Sequence, residues 1–96
     1  MWYNVAMKIL IDADGCPVVD LTLQAATEHG LEAILFCDTS HEFKEKNARV
    51  VTVDKGSDSA DFALLRQVNP GELVVTQDYG LAAMVLDKRG YPIPQH

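Results

Sequence analysis

Met7–Ile11 (MKILI) leads into Asp12 as a nearly continuous apolar run. A strand of that composition must be covered on both faces, which places it at the centre of a layered sheet. Three further short runs repeat the pattern: Leu31–Cys37 (LEAILFC), Arg49–Val53 (RVVTV) and Glu72–Thr76 (ELVVT). Segments of helical period lie between them. Pro17 opens the first at a position where its missing N–H costs nothing. This helix is expected to run to about His29, with Gly30 as its C′ residue and Val18, Leu21 and Ala25 as its inner stripe. Asp38–Asn47 is polar and reads as an irregular loop with a short helical turn. A second helix is predicted from about Ser59 to Val68, stopped by Asn69-Pro70-Gly71. A third spans Gly80–Arg89, capped by Gly90, and Tyr91–Ile93 adds an edge strand.

Strands alternating with helices imply right-handed crossovers and a mainly parallel sheet. The expectation is a three-layer α/β fold of four or five strands in the order 3-2-1-4-5. Its topological switch falls between the first and fourth strands, and in such sheets ligands bind beyond the strands' carboxyl ends at that point. The chain's 96 residues allow a single domain. No apolar run approaches the roughly 18 residues of a membrane span, and Met1–Ala6 lacks a charged n-region. The expected setting is the cytoplasm, away from any membrane. Cys16 and Cys37 are the only cysteines, and in a reducing compartment they are two free thiols.

Acidic residues gather at the predicted carboxyl edge. Asp12 ends the first strand and Asp14 follows it. Asp58 and Asp61 sit where the third strand hands over to its helix, and Asp78 lies just past the fourth. Each has a plain structural alternative. Asp14 can hold a turn, Asp58 and Asp78 occupy plausible N-caps, and Asp61 can complement a helix dipole. Asp61 nevertheless falls on the stripe of Leu64, Leu65 and Val68, pointing inward, and Asp12 ends a central strand where a carboxylate is desolvated. Converging carboxylates repel one another unless a proton or a cation neutralises them. All-oxygen ligation suits Mg²⁺ or Mn²⁺ better than zinc. Such a site polarises a phosphoryl oxygen and activates water, which implies phosphodiester hydrolysis. Asp12, Asp61 and Asp78 are the candidate catalytic acids, and all five aspartates are candidate metal ligands.

Other groups carry less. Thr39, Ser40, His41, Lys55 and Thr76 are candidates for lining the substrate path, with a solvated loop as the alternative for Thr39–His41. Cys16 reads as a small packed thiol rather than a redox residue. Cys16, Cys37 and His41 lack zinc-motif spacing, and His29 reads as a residue of a helix C-terminus. Gly15, Gly56 and Gly80 make no nucleotide-binding fingerprint.

Four ordered blocks, Met7–Val18 (MKILIDADGCPV), Cys37–His41 (CDTSH), Val53–Phe62 (VDKGSDSADF) and Glu72–Ala83 (ELVVTQDYGLAA), resemble the YaiI/YqxD family of uncharacterised bacterial proteins. The resemblance spans about Met7 to Pro94. That family is grouped with PIN-like domains, metal-dependent nucleases built on this sheet order. It thus implies a PIN-like Mg²⁺- or Mn²⁺-dependent nuclease, with Asp12, Asp61 and Asp78 matching and Asp14 and Asp58 in support. Met1–Ala6 precedes the usual start of the family, and relatives usually continue past His96.

Two rival readings stand beside this one. Ile9–Cys16 (ILIDADGC) also resembles the DxDG motif of haloacid-dehalogenase-type phosphatases. Asp12 would then be the nucleophile and Asp14 the general acid, with Lys55 and Asp78 in later roles. Those enzymes need a flap after the first strand, whereas Pro17 starts the helix at once. The second rival is a non-catalytic, metal-stabilised module that binds RNA or a protein. The net charge of −6 opposes single-stranded RNA or another nucleic acid as partner, though two bound divalent ions would offset four charges. Lys44, Lys46, Arg49 and Lys55 make one locally basic stretch.

Overall fold

A computed structural model describes residues 7–13, 19–37, 48–53 and 60–94. Five strands, β1 (Lys8–Asp12), β2 (Glu32–Cys37), β3 (Arg49–Thr52), β4 (Leu73–Thr76) and β5 (Tyr91–Pro94), form one sheet in the order β3-β2-β1-β4-β5. Every pairing is parallel. Three helices accompany them: α1 (Val19–Glu28), α2 (Ala60–Gln67) and α3 (Tyr79–Asp87). The α/β class and the strand order match expectation, and the sheet is parallel throughout.

Alternation along the strands sorts the core into two layers. Leu10, Ile34, Phe36 and Val74 pack with Ala63, Leu64 and Val68 of α2 and its C-terminus, and with Leu81 and Val85 of α3. Ile9, Ile11, Leu35, Cys37 and Val75 face the other way, toward Val19 and Ala26 of α1. Crossover handedness dictates this split. Strands β1 to β2 step one way across the sheet and β4 to β5 the other, so right-handed connections put α1 and α3 on opposite faces. Full burial of a side chain such as Phe36 or Leu64 contributes about 1.5–3 kcal/mol.

The first helix differs from expectation in phase. Its buried residues are Val19 and Ala26, with Leu23 packed beside them, while Leu21 is 66% exposed and Ala25 is also exposed. The segment VVDLTLQAA offers two apolar stripes, Val18-Leu21-Ala25 and Val19-Leu23-Ala26. Its periodicity alone does not choose between them.

The helix ends are specific. Gly30 (φ 69) follows α1 in the left-handed conformation. Its N–H donates to Thr27 O at 3.2 Å, and that of Leu31 donates to Ala26 O at 2.8 Å, a Schellman ending. After α3 the left-handed residue is Arg89 (φ 67) rather than the expected Gly90. Arg89 N–H donates to Leu86 O at 2.9 Å and Gly90 N–H to Val85 O at 3.0 Å. Gly90 serves a different need, because a Cβ there would meet Val85 Cγ1 at 2.8 Å. Between α2 and β4, Pro70 and Gly71 (φ 88) form a type II turn closed by Glu72 N–H to Asn69 O at 3.1 Å.

Glu72 is a buried acid at the amino edge of the sheet, and its bonds are all structural. Its Oε1 accepts the Asn69 N–H at 2.8 Å, and its Oε2 lies 3.7 Å from Lys8 Nζ. Lys88 Nζ donates to Leu65 O, which fills an orphan carbonyl in the last turn of α2.

Candidate functional site

The alternation that sorts the core also builds the carboxyl edge. Leu10 pairs with Val74, and two residues further on stand Asp12 and Thr76, on the same face of adjacent strands. That face is the one α2 and α3 cover. Thr76 Oγ1 donates to Asp12 Oδ2 at 3.0 Å. The same oxygen accepts the Asp78 N–H at 3.0 Å. A hydroxyl has one proton to give, so accepting from Asp78 leaves that proton for Asp12. The two acids expected to face each other across the switch point are therefore linked through a threonine that is 1% exposed.

Asp78 caps α3. Its backbone is extended (φ −93, ψ 110), and its Oδ1 accepts the N–H groups of Gly80 at 2.8 Å and Leu81 at 3.2 Å. The N-cap alternative is thus realised for this oxygen. Asp61 lies in the first turn of α2, half-buried, and its Oδ1 accepts the Phe62 N–H at 2.9 Å. Asp12 is half-buried too. Thr76, expected to line the substrate path, is enclosed and engaged with Asp12. Asp14, Cys16, Thr39, Ser40, His41, Lys55 and Asp58 lie outside the described residues. Among the described residues no three His, Cys, Asp or Glu side chains come together as a metal-holding group. Among them, too, Cys37 is fully buried, with its Sγ 4.0 Å from Val51 O, and no helix is long and apolar enough to cross a membrane.

Sequence reasoning named Thr76 but not its bond to Asp12. Alternation along each strand gives the face that Asp12 and Thr76 occupy, while the register that sets them side by side belongs to the pairing of β1 with β4.

Comparison with known proteins gives a consistent picture. Residues 10–96 match the family described as "Uncharacterized BCR, YaiI/YqxD family". A UPF0178 protein of Exiguobacterium sibiricum is 51% identical over 94% of this chain and 61% of its own length. One from Lachnoclostridium phytofermentans is 52% identical over 86% of this chain and 56% of its own. One from Alkaliphilus oremlandii is 43% identical over 94% and 58% respectively. The chain spans rather under two thirds of the length of the curated relatives it matches. No solved structure matches it.

Proposed function

The chain belongs to the YaiI/YqxD family, and from that premise we propose that it is a divalent-metal-dependent nuclease, hydrolysing phosphodiesters of single-stranded RNA or another nucleic acid at the carboxyl edge of its sheet. The observation that supports this reading best is the Asp12 carboxylate at the switch point, oriented through Oδ2 by the Thr76 hydroxyl. A partly desolvated carboxylate held by an outer partner is how ligands of catalytic ions are presented.

The donor set fits Mg²⁺ or Mn²⁺. Mg²⁺ keeps several waters and takes one or two protein carboxylates plus substrate phosphate. It therefore needs no cage of four protein ligands of the kind structural zinc requires. Asp12 would hold the ion, with Asp61 in the first turn of α2 as the second described carboxylate; Asp14 and Asp58, the sequence's other candidate ligands, lie outside the described residues. An ion held there would supply charge stabilisation for the phosphoryl oxygens and a more acidic water. The chain's own residues do the positioning: Thr76 fixes Asp12, and Asp78 fixes both Thr76 and the start of α3.

The phosphatase reading is disfavoured by chain length. Only residues 14–18 separate Ala13 from Val19 at the start of α1, too few for a flap. The test uses end-labelled single-stranded RNA and DNA oligonucleotides with Mn²⁺. The expected result is cleavage that is abolished by chelation and in Asp12→Asn. A protein that binds Mn²⁺ yet leaves both oligonucleotides intact is a non-catalytic module. An aspartyl-phosphate trapped on Asp12 by mass spectrometry would restore the phosphatase.

A further inference from the structure

Cover on the α1 side of the sheet runs out toward β5. Along one row of paired residues, Ile9 is 6% exposed, Leu73 is half-buried and Tyr91 is 61% exposed. Along the next row, Ile11 and Val75 are 0% and 3% exposed, while Ile93 is 40% exposed. The opposite face shows no such decline at β4, where Val74 and Thr76 are buried and α3 packs on both β4 and β5. Among the described residues α1 is the helix on the thinning side, and it packs against β2. Parallel sheets are normally covered on both faces.

An added strand cannot fill this flank. Tyr91 N–H donates to Glu72 O at 2.8 Å, so the peptide groups of residues 91 and 93 point toward β4 and those of 92 and 94 point outward. Both outward positions are proline and carry no N–H. An occupant must therefore pack on the face. The relatives have chain to supply it: the matched region is 61%, 56% and 58% of the three lengths given above. We propose that a helix from the portion of these longer relatives outside the matched region docks its apolar face on Leu73, Tyr91 and Ile93, completing the layer that α1 begins. This docking is independent of any nuclease activity.

The test joins the unmatched portion of the Exiguobacterium sibiricum protein to this 96-residue chain through a flexible linker, which raises its effective concentration to the millimolar range. Hydroxyl-radical footprinting then reads side-chain exposure. Oxidation of Tyr91 and Ile93 should fall several-fold relative to the unfused chain, while Tyr79, on α3, stays reactive. Ile93→Glu in the fusion should restore oxidation of Tyr91. Leu86→Glu, on the exposed side of α3, should leave the protection intact. Unchanged oxidation of Tyr91 in the fusion would overturn the proposal, and so would equal loss of protection in Leu86→Glu. Self-association of the unfused chain with Tyr91 already protected would assign the surface to a second copy instead.

Discussion

Thr76 donates to Asp12 and accepts from Asp78 with one buried oxygen, so a single substitution reports on the whole edge. Thr76→Val keeps the shape and removes the hydroxyl. It leaves the Asp78 N–H without that acceptor and Asp12 without that donor, at a cost of about 1–3 kcal/mol. Thr76→Ser should recover most of this, short of the roughly 0.8 kcal/mol carried by one buried methyl group. Urea denaturation measures both, and equal midpoints for wild type and Thr76→Val would show that the bridge contributes nothing. Asp78 is tested through its cap. Asp78→Ala should lower stability by about 1 kcal/mol and Asp78→Ser by much less, since serine also caps well. The acids themselves were legible in the sequence, because Asp12 breaks an apolar run and Asp78 stands just before a helix. The bond through Thr76 was not. It needs β4 to lie beside β1 in one register, a fact of tertiary pairing that no local pattern carries.

The ends of the helices show where local reading succeeds and where it stops. Gly30 was expected in the left-handed position after α1 and occupies it, since a glycine just past a helix has no stronger demand on it there. Gly90 was expected to do the same after α3, yet Arg89 takes that conformation. The close approach of Gly90 to Val85 and Val68 is a packing requirement, and it outweighs the cost of about 1–2 kcal/mol for an ordinary residue in the left-handed region. The two substitutions should therefore act in opposite directions. Gly90→Ala pushes a methyl group against Val85 in the core and should cost about 1–3 kcal/mol. Arg89→Gly relieves the strained residue, offset in part by the extra freedom of the unfolded chain, and should leave stability unchanged or slightly raised. Thermal melts of the pair decide the matter: a loss at Arg89→Gly equal to that at Gly90→Ala would contradict this account of the cap. The phase of α1 failed for a related reason. Val18-Leu21-Ala25 and Val19-Leu23-Ala26 have equally good helical spacing, and only contact with the sheet selects the second.

At the scale of the molecule the strand order was legible, because alternation of strand and helix plus crossover handedness leaves few arrangements. That order places Asp12 and Thr76 side by side and brings the first turn of α2 to the same edge. Whether the edge holds a cation is a property of the whole folded state, and stability reads it without reference to turnover. A ligand that binds only the native protein adds about 2.7 kcal/mol at a hundred times its dissociation constant. Saturating Mn²⁺ should therefore raise the melting temperature of the wild-type chain. Asp12→Asn preserves an oxygen acceptor for Thr76, so without metal it should melt close to wild type. It removes the carboxylate charge, so with Mn²⁺ it should gain little. The net charge of −6 supplies a competing explanation, since any cation relieves general self-repulsion. Matched ionic strength in NaCl separates the two: screening acts alike on both proteins, whereas site binding acts on wild type alone. Equal Mn²⁺ responses in the two proteins would reduce Asp12 to a structural acid at the end of a strand, and the proposed nuclease would lose its principal ligand.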